Sequence, residues 1–373
     1  MKVLIGGAGG APSENVISSL RAGPDDYCII GVGSEPADLA LSAADVKYQI
    51  PYAGQPGHKP ALLHIIEKEK PNLAHFQNDY EILAVSGFRD DLIAAGVKLY
   101  LPSPSTIENC VDKWRSSEIW RQAGLAVPRT MLVNDESDLK KAFEILSGNS
   151  GAIWLRAVTG GGGRGALPAD NYEFAKLWID RFSGWGQFTA AELLTPDSVT
   201  WSSIWHQGEL VVAQTRKRRA WTFGNRTLSG VTGVTRVGET ASCPAVDRTA
   251  QEAILAIDPR PHGIFSVDMT CDFQRRPNPT EINIARFFTT IHFFTAAGLN
   301  LPRIYVDIAL KNEFPVLDKK INPLPDGLIW IRAMDRPPLL TTTEALEKNI
   351  NTEAMTAAAS FSTGTQARTH KEV

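Results

Sequence analysis

Short apolar runs alternate with amphipathic stretches through the first hundred residues. Val3-Leu4-Ile5 reads as a buried strand that runs into a turn, Gly6-Gly7-Ala8-Gly9-Gly10, and behind it Val16, Ile17 and Leu20 share one helical face. Cys28-Ile29-Ile30-Gly31-Val32 is a second strand. Leu62, Leu63, Ile65 and Ile66 mark another helix, and Leu73-Ala74-His75-Phe76 and Val97-Lys98-Leu99-Tyr100 are further strands. Strand–helix alternation implies parallel pairing with right-handed crossovers, a doubly wound sheet whose ligands sit beyond the carboxyl ends of its strands. Gly6 to Gly10 and Gln77-Asn78-Asp79-Tyr80-Glu81 both fall there.

Leu101-Pro102-Ser103-Pro104-Ser105 is a stiff break. A helix from Cys110 to Ala123 follows, closed by Gly124 and Pro128. From about Ile153 the pattern becomes β-rich: a strand at Ala152-Ile153-Trp154-Leu155, a hairpin from Trp201 to Gln214, and two strands, Ile264 to Met269 and Pro279 to Asn283. Pro302 to Leu310 reads as helix. From about Asn351 the chain is rich in Ala, Ser and Thr without an apolar period, which predicts a loosely held tail.

Length changes this picture only by implying two or three domains for 373 residues. At 43% hydrophobic and 21% charged residues the chain is globular, and a net charge of -3 steers it to neither nucleic acid nor anionic lipid. Cys28, Cys110, Cys243 and Cys271 form no CxxC pair, so neither a zinc site nor a disulfide framework is expected. Lone thiols suit a reducing compartment, and no run approaches a membrane span, so the expected location is cytoplasmic.

Three constellations point to chemistry. Asp268, Glu281 and Asn283 lie in apolar strand segments, and Glu281 and Asn283 share a face by the period of two. Two carboxylates and an amide, completed by waters and phosphates, suit Mg2+. Arg156 ends a strand just before Gly160-Gly161-Gly162-Gly163-Arg164-Gly165, and a backbone without Cβ atoms can approach phosphate oxygens closely, so this stretch reads as a phosphate lid. Among Arg216-Lys217-Arg218-Arg219 and Arg236, Arg216 and Arg236 are the expected clamp for a carboxylate or phosphate, and Arg218 and Arg219 read as solvated charges. His75, His292 and the nine tryptophans read as packing.

Taken in order, these pieces resemble the ATP-grasp superfamily, close to its carbamoyl-phosphate-synthase-large-subunit-like and carboxylate–amine ligase branch. The resemblance runs from residue 1 to about 310. It covers the Rossmann-like opening, Asp112-Lys113, the Arg156 strand and glycine lid, Ala190-Ala191-Glu192-Leu193-Leu194, the acidic strands and Gly298-Leu299-Asn300-Leu301-Pro302. It implies an α/β and α+β chain: a pre-ATP-grasp Rossmann-like parallel sheet over 1–107, a small lobe with the glycine-rich lid over 108–190, a large lobe with the metal site over 191–345, and a flexible tail over 346–373.

It further implies that Lys113, Arg156 and the Gly161, Gly162 and Gly163 backbone hold ATP phosphates, and that Glu192, Leu193 and Leu194 meet adenine. Asp268, Glu281 and Asn283 would bind Mg2+, or Mn2+ in its place, and Arg286 would face the transferred phosphoryl group with Arg216 and Arg236. Where the family places a ribose-binding acid this chain has Pro196-Asp197-Ser198-Val199, making Ser198 or Asp197 the substitute; where it has Pro-Arg, Ile284-Ala285-Arg286 shifts the arginine by one. The implied activity is ligation: a small-molecule carboxylate is activated as an acyl phosphate and an amine displaces phosphate, with no nucleic acid or membrane partner and a homodimer compatible with the family. Two alternatives remain at this point: a nicotinamide-dependent oxidoreductase built on the N-terminal glycine turn, and a non-catalytic nucleotide-binding module.

Overall fold

The computed structural model describes residues 1–334 and 336–348. Its first sheet is five-stranded and parallel: β1 (Lys2–Gly6), β2 (Cys28–Gly33), β3 (Val46–Gln49), β4 (Leu73–His75) and β5 (Lys98–Leu99), in the order β3-β2-β1-β4-β5. The winding reverses between β1 and β4, so the turn after β1 and the segment after β4 flank the switch point. Asn78 caps the helix Asp79–Gly87 by accepting from the Glu81 amide, which fixes Asp79 and Glu81 in its first turn.

The second sheet holds β6 (Thr130–Val133), β7 (Ile153–Ala157), β8 (Leu167–Ala169) and β9 (Phe188–Glu192), ordered β6-β9-β7-β8 and antiparallel throughout. The helices Glu136–Leu146 and Tyr172–Arg181 cover it through Leu139, Ala142, Ala175 and Ile179.

The third sheet has seven strands: β10 (Ser198–His206), β11 (Glu209–Trp221), β12 (Thr235–Ala241), β13 (Gly263–Cys271), β14 (Pro277–Ile284), β15 (Leu328–Ile331) and β16 (Leu339–Thr342), ordered β14-β13-β10-β11-β12-β15-β16. Along β13 the alternation works as it reads: Phe265, Val267 and Met269 are sealed in a core with Trp201 and Ile282, leaving Ser266 and Asp268 on the other face.

The helix expected from Cys110 to Ala123 is two helices, Pro104–Val111 and Lys113–Gln122, because Asp112 leaves the helical conformation and caps the second one by accepting from the Arg115 amide at 2.8 Å. The expected tail begins inside the helix Thr343–Lys348, and its remainder, 349–373, lies outside the described residues.

One core joins distant parts of the chain. Val3, Ile5, Ile17 and Ile29 of the first sheet and its helix pack with Phe293, Leu301, Tyr305 and Val306, about 300 residues later.

Candidate functional site

The register of β13 and β14 sets Asp268 opposite Glu281 and Ser266 opposite Asn283, so the three expected metal-site residues share one face. Asp268 is held tightly. Thr200 donates to its Oδ1, the Arg218 guanidinium lies 3.4 Å from that oxygen, and Asn283 donates to Oδ2 at 3.0 Å. Burial alone would raise the Asp268 carboxyl, but Arg218, the Thr200 hydroxyl and Arg216 hold it below the usual carboxylate range. The Asn283 oxygen accepts from Arg286, so in this conformation the amide bridges Asp268 and Arg286.

Lys113 links the carboxylates to the lid. It stands at the start of its helix, donates to the Gly160 carbonyl at 2.6 Å and lies 3.5 Å from Glu281. Arg156 reaches across from β7 to the Thr280 carbonyl at 2.8 Å, and its Nε is buried without a partner. The lid itself takes positive φ at Gly160, Gly162, Gly163 and Gly165, conformations that side chains oppose. It is also crowded on both flanks. A Cβ at Gly160 would sit 2.9 Å from the Tyr80 hydroxyl, and one at Gly163 would sit 3.2 Å from the Val231 carbonyl. The loop after β11 therefore closes against the lid from one side and the first turn of Asp79–Gly87 from the other.

Arg286 ties the first sheet to the third. It donates to both Asp79 oxygens, at 2.6 and 3.0 Å, across 207 residues of sequence. Burial works against both charges, yet each holds the other ionised: Asp79 lies below its ordinary range and Arg286 above.

Arg216 is 1% exposed, stacks on Phe288 at 4.4 Å, and donates to Thr200 and Thr290 with no carboxylate in contact. Burial first, then Arg218, lowers it to about 9. Arg218, which reads as solvated in the sequence, lies instead inside the site beside Asp268. It faces Asp268, Ser198 and Thr235 and stacks on Trp221 at 3.8 Å. The signal was the alternation along β11, which puts 216 and 218 on one face and leaves Arg219 to pair with Glu239 on the other. Arg236 is exposed and its guanidinium meets no side chain among the described residues, so the expected Arg216–Arg236 clamp is in this structure an Arg216–Arg218 pair.

Glu192 ends β9, an inner strand of the second sheet, and Leu193 and Leu194 follow it. The Glu192 carboxylate binds Arg129 at 2.6 Å, Leu193 and Leu194 are half-buried, and Thr195 donates to the Cys271 carbonyl, joining the second sheet to the third. Ser198 accepts from Arg218 at 2.9 Å. A separate cavity of about 410 Å³, lined by His206, Leu210, Phe314 and Lys320, lies at the opposite end of β10 and shares no residue with this site.

Among the described residues no three His, Cys, Asp or Glu side chains gather as a metal site. Two carboxylates paired across β13 and β14 still fit Mg2+, which binds through one or two carboxylates and takes its remaining ligands from water and phosphate. The lid, with Lys113 and the unpartnered Arg156 Nε, fits phosphate oxygens. No helix among the described residues is long and apolar enough to cross a membrane.

The chain matches no known sequence-family profile. Its fold is shared with solved structures. N5-carboxyaminoimidazole synthetase from Staphylococcus aureus, complexed with ADP, superposes with TM-score 0.66 at 16% identity over 89% of this chain and 82% of that one. L-amino acid ligase from Bacillus licheniformis gives 0.64 at 13% over 88% and 78%. The biotin carboxylase domain dimer of Hydrogenobacter thermophilus 2-oxoglutarate carboxylase, in complex with MgADP, ADP and bicarbonate, gives 0.66 at 16% over 89% and 74%. Identities this low establish the fold alone: a Rossmann-like parallel sheet followed by a two-lobed ATP-grasp fold.

Proposed function

We propose that this chain is an ATP- and Mg2+-dependent ligase that activates a small-molecule carboxylate as an acyl phosphate for attack by an amine, giving an amide, ADP and phosphate. The observation that carries the reading is Lys113, whose ammonium meets the lid backbone and Glu281 together, with Asp268 paired opposite Glu281. Bound Mg-ATP supplies the phosphoryl group and the divalent charge that such chemistry needs.

The protein's part is positioning and charge neutralisation, which suits a site without a covalent nucleophile. Lys113, Arg156 and the Gly161–Gly163 backbone hold phosphates; Glu192 to Leu194 face the base, with Ser198 towards the ribose; Asp268 and Glu281, with Asn283, hold the metal. Arg216 and Arg218 present positive charge beside Asp268, and Arg286, just after β14, presents it held in place by Asp79 of the first sheet's helix. Thr200 and Thr290 aim the Arg216 guanidinium, and Phe288 keeps water from its face. The lid, wedged between Tyr80 and Val231, excludes water from the reacting groups.

In this reading the chain divides into units of 1–107, 108–190 and 191–345. Its four cysteines, all free, suit the cytoplasm. ADP release over a panel of carboxylic acids with and without amines tests the proposal. Turnover should appear with one acid class and vanish in Glu281→Ala. Full turnover in that variant removes the metal assignment, and stabilisation by NADH but not by Mg-ATP removes the ligase.

A further inference from the structure

The geometry points to Glu81 as the proton acceptor for the incoming amine, an inference that rests on the ligase reading above. Glu81 occupies the switch point of the parallel sheet, between the turn after β1 and the helix after β4, where the winding opens a crevice. Its side chain is 4% exposed, and the chain makes room for it, since a Cβ at Gly6 would overlap the carboxyl group. Oε2 accepts from Asn78 at 2.9 Å, and Oε1 has no donor among the described residues.

The charges around it are accounted for. On its own helix, Asn78 is neutral and Asp79 is bound on both oxygens by Arg286 from the segment after β14. The β1 turn with Gly6 and Gly7 and the β4 end with Phe76, which meet its carboxyl group, carry no charge, and the helix Pro104–Val111, packed on the Glu81 helix, adds the exposed Glu108 and the buried thiol of Cys110. Two carboxyl groups two residues apart thus stand in opposite states: Arg286 keeps Asp79 ionised, while burial pushes Glu81 up to about 8. Titratable pairs pushed apart in this way mark acid–base roles, and an acceptor poised near the working pH is the efficient one.

The step balances. The uncharged amine attacks the acyl carbon, the C–N bond forms, the bond from carbon to the phosphate oxygen breaks, and phosphate leaves with the electron pair. The proton released from nitrogen goes to the Glu81 carboxylate.

Glu81→Gln keeps the shape and the Asn78 contact. The wild-type chain and this variant are assayed with ATP, Mg2+, a panel of amino acids and short carboxylic acids, and either ammonia or amino acids as nucleophile, or hydroxylamine, which is uncharged at neutral pH and traps acyl phosphates without a base. Amide formation should fall about 100-fold or more in Glu81→Gln while hydroxamate formation stays within about threefold, and the acid limb of the amide pH profile should disappear. Equal loss of both products makes Glu81 a merely structural residue and overturns the inference, as does loss of neither. Wild-type hydroxamate with no amide from any amine overturns it while sparing the ligase reading. Wild-type chain that releases no ADP with any acid overturns both.

Discussion

Glu81 and His75 impose opposite pH dependences on stability, and the two cancel over a defined window. Burial raises Glu81 from 4.5 to about 8, so between those values the folded chain retains a proton that the unfolded chain releases. Its contribution is complete below pH 4.5 and is lost as pH rises towards 8, at about 1.4 kcal/mol per pH unit and about 5 kcal/mol in all. His75 is 1% exposed between the rings of Phe287 and Tyr305, and burial lowers it from 6.5 to about 4. There the unfolded chain binds the proton, so stability is lost as pH falls from 6.5 to 4, by about 3 kcal/mol. From 4.5 to 6.5 the two slopes offset each other; above 6.5 the loss from Glu81 stands alone. Both groups belong to the first sheet and its following helix, so they report on the same unfolding unit. Urea unfolding at fixed pH, followed by far-ultraviolet circular dichroism, measures the effect. Glu81→Gln minus wild type should climb steadily from pH 5 to 8, and His75→Phe minus wild type should fall from pH 4 to 6.5 whatever its pH-independent cost. A Glu81→Gln difference that is constant from pH 5 to 8 means that the carboxyl is ionised in the fold and that burial does not raise it.

Arg218→Met leaves Asp268 buried beside Thr200 with its nearest cation gone and should cost about 3 kcal/mol in urea unfolding, most of it recovered in Arg218→Met/Asp268→Asn; a cost below about 1 kcal/mol means the pair is effectively solvated. Gly233→Ala places a Cβ 2.5 Å from the Gly162 Cα at a φ of +72°. It should lower kcat by opening the lid contact while barely moving the melting temperature, and an unchanged kcat would show that this contact plays no part in turnover.

The parallel sheet was legible because each strand and the helix behind it carry their period within a few residues: Val3 to Ile5, the glycine turn, then Val16, Ile17 and Leu20. The pairing of Asp268 with Glu281 was legible for a similar reason, since two neighbouring strands and a short turn leave little freedom of register. Asp112 was harder to read, because an acid inside a helical pattern signals a new start only once its side chain is seen to cap. The Asp79–Arg286 pair could not be read at all: neither residue's neighbours announce a partner 207 positions away. Arg218 was lost to a habit of reading consecutive cations as a patch, although strand alternation sorts them into two faces.

The core that joins the first sheet to the helix Leu301–Lys311 also sets a timetable for synthesis. The face of the first sheet bearing Val3, Ile5 and Ile29 stays without Phe293, Tyr305 and Val306 until nearly 300 further residues have been translated. At bacterial and eukaryotic elongation rates that interval is roughly 15 to 60 s, long against the folding of a small domain. A nascent chain stalled before Leu301 should therefore be held by chaperones that bind exposed apolar surface, and released from them once that helix has emerged from the ribosome.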